Sequence, residues 1–543
     1  MLAAAPIVKL LQPEIILLIG GALILLVGLS RSLARHAMAI ALLCVLVSLW
    51  SAWRQGADAT IEVASLNNGP LVWYVRLVTL AMGALILLVN RSVPAEEERG
   101  EFFSLVLFSL CGVSLVAIAN NLIMLFLALE LVSVPTYILI GLSRRDIRAQ
   151  EATGKYFFLG AFAAAMTLYG FSFLYGAAGT MTLFGGSSSL AAILSAQGTV
   201  RDPLVLLGLV LSVGGLTFKI AAVPFHFYAA DVYQGAASPV TGMLGFVPKF
   251  AGFVAMIEVL SLCGWQYGDG LFWLLWALAA ATMFVGNTLA LMQHNVKRML
   301  AYSSIAHTGY VLVALVAGPP VGDALDTSPL RNGLTAILFY LVVYGVMNLG
   351  AFAALAYFRK PGEDDEDDSV EMLDDLAGAA RRHPWACLAF SICVLGLMGF
   401  PLTGGFLAKL YVFSAALSAS SAPAGLAAGV STARSTGMIV LVVIGVLNAA
   451  IAAAYYLRIL ASCYLRKPAE GVTASPSHAL RLSLALCAAL VLAAFIRPGI
   501  LFTESQKAVE VVSRTASVLG PQTASRDQRG KSEARLTVRD TED

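Results

Sequence analysis

The chain has 543 residues, of which 59% are hydrophobic and only 13% charged. Soluble domains run nearer half apolar and a quarter charged, so a soluble enzyme, a disordered scaffold and a basic nucleic-acid binder are all excluded. With 35 basic and 33 acidic residues the net charge is +2; the expected surroundings are a lipid bilayer, and no nucleic acid.

A bilayer core takes about 20 apolar residues per helix. Windows of that kind fall at 12–30, 35–53, 71–90, 102–119, 121–141, 155–176, 203–225, 239–262, 271–292, 299–318, 331–358, 384–415, 436–463 and 478–497. These are continuous apolar runs, unlike the alternating strands of an outer-membrane barrel. The expected fold class is therefore an all-α polytopic membrane protein of about fourteen spans. Residues 14–29, preceded by Lys9, also look like a signal-peptide core. A retained first helix is preferred, because removing it spoils the parity of the loop charges.

Loops after odd-numbered spans, with the start of the last span, carry Arg31, Arg35, Arg91, Arg99, Arg144, Arg145, Arg148, Lys297, Arg298, Arg359, Lys360, Arg381, Arg382, Arg466, Lys467 and Arg481. Loops after even-numbered spans carry only Arg54, Arg201, Arg331 and Arg434. The positive-inside rule then puts the odd loops in the cytoplasm and both termini outside. The basic residues of the C-terminal tail run mildly against this. An acidic run at 363–369 reads as a solvated loop, 185–189 as a linker and 520–543 as a disordered tail. The seven cysteines lie almost all within apolar runs with no CxxC pair. They read as core residues, and no electron carrier is expected in this chain.

A charge at mid-membrane costs several kcal/mol, roughly, and asks for a reason. Glu130 lies in span 5 with Pro135 five residues on, and Lys219 in span 7 with Pro224 five residues on. Lys249 directly follows Pro248 in span 8, and Lys409 lies eight residues after Pro401 in span 12. Proline removes a donor and strands the carbonyl four residues earlier, here Leu131, Ile220 and Leu397. Inside lipid such a carbonyl needs a new partner. A broken helix therefore makes a polar pocket at membrane depth, as at transporter ion sites. Desolvation eases the loss of an ammonium's proton and a nearby carboxylate opposes it, so Glu130 and Lys219 are the natural switchable pair. A static ion pair locking two helices is the plainer alternative.

His307 in span 10, Lys155 at the start of span 6 and His226 after the span 7 break are secondary relay candidates. Arg458 and Glu258 near helix ends are expected to snorkel. The breaks in spans 7 and 12 are five spans apart, suggesting two inverted five-helix units. The expected layout is peripheral helices 1–3 in 1–101, units at 102–262 and 263–465, helix 14 in 466–497, and a polar, disordered tail, 498–543.

The stretch FKIAAVPFHFYAADVYQGAASPVTGMLGFVPKFAGF (218–253) resembles the central motif of the antiporter-like membrane subunits of respiratory complex I. LFLALELVSVPTYIL (125–139), ATGKYFFLGAFAAAMTLYG (152–170), NVKRMLAYSSIAHTGY (295–310) and GFPLTGGFLAKLYVF (399–413) extend the likeness across most of 100–460. Within that family the match looks closest to subunit N of bacterial NADH–quinone oxidoreductase, with subunit M next. Tyr228 and Ala230 depart from the Trp and Pro usual there. The resemblance implies fourteen helices, inverted repeats, broken helices 7 and 12, and a proton path through Glu130, Lys219, Lys249 and Lys409. It implies flavin, iron–sulfur clusters and quinone in partner subunits, none in this chain, and other membrane subunits as partners. It also implies a bacterial inner membrane. A multi-subunit cation/proton antiporter subunit of the same fold, or an assembly scaffold without transport, are the rival readings.

Overall fold

A computed structural model describes residues 4–57, 66–196, 202–265, 268–320, 330–360, 370–420, 432–467, 473–475 and 477–518. The acidic run 363–369 and the segment 520–543 lie outside the described residues. The helices, in chain order, are α1 (Ala4–Leu10), α2 (Gln12–Gly28), α3 (Arg31–Ala34), α4 (Ala37–Gln55), α5 (Pro70–Val89), α6 (Arg99–Ile118), α7 (Leu122–Ser143) and α8 (Ile147–Ala178). They continue with α9 (Leu190–Ala196), α10 (Pro203–Lys219), α11 (Tyr228–Gly235), α12 (Ser238–Leu244), α13 (Val247–Ser261), α14 (Asp269–Leu291), α15 (Val296–Ala317) and α16 (Gly333–Tyr357). The last are α17 (Ala379–Arg382), α18 (Pro384–Met398), α19 (Gly404–Ser420), α20 (Thr432–Leu465), α21 (His478–Ile496) and α22 (Gly499–Val518).

Among the described residues, eleven helices are long and apolar enough to cross a membrane. Three shorter apolar helices, Gln12–Gly28, Pro203–Lys219 and Pro384–Met398, coincide with expected spans 1, 7 and 12. The last two are short because each helix stops ahead of its proline, α10 at Lys219 before Pro224 and α18 at Met398 before Pro401. Polar side chains set several helix starts: Asn121 accepts from the Ile123 amide, Asp146 from Ala149, Asp202 from Leu204 and Asn295 from Arg298. Each such cap is worth about 1 kcal/mol.

The two ends of the bundle differ in kind. Arg31 pairs with Glu97, Arg145 with Glu98, and Arg144 and Lys297 with Glu371, so loops after odd-numbered spans gather on one face, the basic face. On the opposite face the connections meet through the bridges Leu66–Ala119 and Asn121–Thr182 and the pair Arg434–Asp269. The segment from α12 through α13 is wholly buried, and α15 and α16 nearly so. The core therefore lies along the helices that carry Lys249 and His307.

Two expectations need correction. The tail from 498 was read as disordered, yet α22 forms there and packs on α5 and α16, with Ser505 Oγ donating to Tyr74 OH at 3.0 Å. Its few apolar residues sit at helical spacing, with Ala508 and Val509 fully buried. The proposed linker 185–189 is a tight turn: Gly185 and Gly186 take positive φ and Ser189 bonds back to the Gly186 carbonyl.

Candidate functional site

α10 ends at Lys219 and α11 begins only at Tyr228, so the chain is non-helical across 220–227. α18 ends at Met398 and α19 begins at Gly404, leaving a second break at 399–403. Each break holds a non-glycine residue in the left-handed region, Ala221 at φ 56° and Leu402 at φ 74°. Such conformations cost about 1–3 kcal/mol and persist only where packing dictates them. α7, in contrast, runs unbroken through Pro135, so that proline marks no gap. Pro248 falls in the first turn of α13, where its missing donor costs nothing.

The stranded carbonyls find partners. Ile220 O accepts from Thr308 Oγ1 at 2.8 Å, and Leu397 O from Lys409 Nζ at 3.2 Å. Met398 O holds the same ammonium at 2.7 Å, and the ring of Tyr310 lies 4.9 Å from it. The second break thus makes the lysine site itself.

Lys219 Nζ lies 2.8 Å from Glu130 Oε1 and also contacts Ser133 Oγ, which donates onward to Leu129 O. The lysine side chain is 5% exposed and that of Glu130 23%, so the pair is reached from the glutamate side. Lys219 and Lys249 line one small enclosed cavity of about 10 Å³, walled by Tyr156, Tyr228 and Tyr233. That is close to the space of one water. Among the described residues no carboxylate meets Lys249; its ammonium rests on Ser304 O and Ser304 Oγ, both at 2.6 Å, and on Thr308 Oγ1 at 2.9 Å.

Beyond Lys249 the polar groups continue along α15. Ser304 Oγ accepts from Tyr344 OH at 2.6 Å and faces Tyr233 OH at 3.2 Å. His307 bonds Tyr340 OH at 2.7 Å through Nδ1 and Tyr456 OH at 3.1 Å through Nε2. Tyr310 follows, its ring 5.9 Å from the histidine and beneath Lys409. Ser304, His307, Thr308 and Tyr310 recur at helical spacing. One stripe of α15 therefore links the two lysines.

The other candidates separate from this file. Lys155 is two-fifths exposed on the basic face, paired with Glu151 and Asp231 at 2.7 Å each. Burial alone would raise the Asp231 carboxyl, but Lys155 and Arg298 outweigh it and hold it below the ordinary value. His226 lies buried in the first break, its Nδ1 without a partner among the described residues. Arg458 donates to Leu291 O at 2.9 Å and Gln293 O at 2.5 Å, capping the end of α14 rather than reaching for solvent. Glu258 does not snorkel: it is 5% exposed and faces a cavity.

Sequence reasoning missed a second intramembrane pair. Arg76 grips Glu14 with two nitrogens, at 2.8 and 2.9 Å, and takes Leu10 O and Gln55 as well. Both residues lie inside expected spans, so the rule that singled out Glu130 would have found them. The hydroxyls of Ser304, Thr308, Tyr344 and Tyr456 were missed too; the repeat of polar residues in SSIAHTGY was the signal for the first two, and nothing in the sequence marks the tyrosines. Among the described residues no group of three or more His, Cys, Asp or Glu is placed to hold a metal ion.

A sequence profile of the family described as NADH:quinone oxidoreductase/Mrp antiporter, TM, matches residues 119–436. NADH-quinone oxidoreductase subunit N of Trichlorobacter lovleyi is 34% identical over 522 residues, covering 93% of this chain and 97% of its own. The subunit N of Gemmatimonas aurantiaca is 35% identical over 551 residues, covering 96% and 97%. Among solved structures, a chain of respiratory complex I from Thermus thermophilus with bound Aureothin superposes with TM-score 0.70 at 29% identity, over 90% of this chain and 98% of that one. A chain of the Mrp complex from Dietzia sp. superposes with TM-score 0.71 at 19% identity, over 93% and 99%, which is a likeness of fold alone. The chain belongs to the NADH-quinone oxidoreductase subunit N family of antiporter-like membrane proteins.

Proposed function

We propose that this chain is the proton-translocating membrane subunit of an NADH–quinone oxidoreductase, moving protons while NADH oxidation and quinone reduction proceed in other subunits. The observation that carries the reading is the Glu130–Lys219 pair beside a water-sized space shared with Lys249. Flavin, iron–sulfur clusters and the quinone belong to those partners. In this reading the protein crosses a bacterial inner membrane fourteen times, as two inverted repeats, with its basic loops in the cytoplasm and its termini outside.

Each residue then has a role. Glu130, partly exposed, receives the signal from a neighbouring subunit. When its carboxylate is neutralised or withdrawn, Lys219 loses its counter-charge and gives its proton to a water entering the space it shares with Lys249. Among the described residues Lys249 rests on neutral acceptors alone, so it passes the charge on through the Ser304 hydroxyl and the tyrosine–His307 groups toward Lys409. Lys409, held by two carbonyls of a broken helix, is the terminal carrier. Lys155 and His226 serve as accessory groups near the basic face and in the first break. Moving one charge against 100 mV takes about 2.3 kcal/mol, which the electron-transfer subunits supply.

The test is replacement in the assembled complex. Lys219→Ala and Lys409→Ala are expected each to depress NADH-driven proton pumping strongly in proteoliposomes while the complex still assembles. Normal pumping in both variants rejects the reading. Co-purification in mild detergent with a flavin- and iron–sulfur-containing NADH dehydrogenase is the expected outcome for the partners.

A further inference from the structure

Glu258 stands on α13, nine residues beyond Lys249 and six beyond Gly252. Gly252 packs so closely on α10 that a methyl group there would meet Ile220 and Lys219 Cβ, at 2.7 and 3.1 Å. At 1.5 Å per residue Glu258 is thus roughly 9 Å further toward the opposite face than the level of Lys219. It is buried among protein, since α13 is buried over its whole length. Its carboxyl has no hydrogen bond or ion pair among the described residues.

A cavity of about 140 Å³ receives it, lined also by Asn67, Asn68, Ala117, Phe184 and Ser261. The loop before α5 is fixed over this space by the Asn67 amide on Ile118 O at 2.7 Å and its side chain on Ala119 O at 3.1 Å. Ser261 Oγ is turned onto the Glu258 backbone carbonyl at 2.8 Å. Among the described residues the wall offers no cation. The charges on α5, which lines the cavity, and on the helices packed against α13 are otherwise engaged or distant: Arg76 of α5 with Glu14, Lys219 of α10 with Glu130 of α7, Arg99 with Glu96 and Glu101 at the basic-face start of α6, and Lys507 with Glu504 on α22, where Glu510 is partnered too. A buried carboxylate without a partner is costly, and a space large enough for several waters is what makes either protonation state tenable there.

We propose that Glu258 is a proton-exchange site, the group through which the first repeat meets water on the face opposite the basic loops. Its carboxylate takes a proton from the interior file, becomes the neutral acid, and releases that proton to water in the cavity, returning to its starting state. The inference rests on the transport reading and assigns it an aqueous terminus near Lys219, separate from Lys409.

The experiment uses the intact complex in proteoliposomes, comparing Glu258→Gln and Glu258→Asp with wild type and Lys219→Ala. A positioned proton-transfer group contributes about 100-fold or more at its step; Glu258→Gln is expected to lower the pumping rate by a factor of that order and Glu258→Asp to retain most of it. In parallel, a water-soluble carbodiimide, which reacts with protonated carboxyls, is expected to label Glu258 in wild type, less as pH rises. Full pumping by Glu258→Gln beside loss in Lys219→Ala overturns this inference alone, whereas full pumping by both overturns the transport reading. If Glu258→Gln does not assemble, the labelling decides: no adduct on Glu258 at any pH rejects the site. Labelling suppressed by sodium at constant ionic strength assigns the cavity to a metal cation and also rejects it.

Discussion

The ammonium of Lys409 is bonded to the carbonyl of Leu397, 3.2 Å away, which is the carbonyl Pro401 leaves without a helical donor. The lysine and the proline are therefore one device: the proline frees the acceptor that makes a charge tenable inside the bundle. The first break does the same at one remove, since Ile220 O is taken by Thr308, whose hydroxyl also holds Lys249.

Pro401→Ala returns an amide donor at the position from which a helix would reclaim Leu397 O. Proton pumping is expected to fall while assembly and NADH oxidation by the peripheral subunits persist. Pumping at the wild-type rate would show that Gly399 and Leu402, both at positive φ, hold the break unaided.

The lysines were legible in the sequence because charge in an apolar run is rare, and the breaks because proline acts locally. Pro135 was over-read: α7 continues through it, and the hydroxyls of Ser133 and Thr136 bond backbone carbonyls beside it. The role of α15 was hidden for a different reason. Its hydroxyls acquire meaning only from Lys249, Tyr344 and Tyr456, which come from three other helices. Glu258 was misjudged because nearness to a helix end in sequence says nothing of the loop that covers that end. α22 was overlooked because it is too polar to read as a span, and its partners on α5 and α16 are remote in the chain.

Glu14 and Arg76 fasten α2 to α5 almost wholly out of solvent. Removing one partner strands the other, at a cost of about 3–5 kcal/mol, whereas replacing both by apolar residues is often neutral. Glu14→Gln should therefore lower the unfolding temperature of the subunit in the solubilised complex, and Glu14→Leu with Arg76→Met should recover most of the loss. Equal damage from the single and double variants would mean that Arg76 matters chiefly through Leu10 O and Gln55.

Glu371 closes the basic face. Its carboxylate takes Arg144 at 2.9 Å from the end of α7, Lys297 at 3.3 Å from the start of α15 and Asn295 at 3.1 Å, while its backbone carbonyl takes the Val296 amide at 2.6 Å. Burial would raise this carboxyl, but Lys297 and Arg144 prevail and keep it below its ordinary value of 4.5. A folded-state value that is depressed gives stability present above the unfolded value and lost as pH falls through the folded one. The wild-type complex should accordingly lose thermal stability on acidification below pH 4.5, and Glu371→Gln should be less stable at neutral pH with a flatter acid limb. The same clasp ties the helix of Glu130 to the helix of His307, so Glu371→Gln is also expected to loosen their coupling and reduce protons moved per NADH. A variant with an unchanged acid limb would place the pH sensitivity of this face elsewhere, with Asp231 between Lys155 and Arg298 as the next carboxylate to replace.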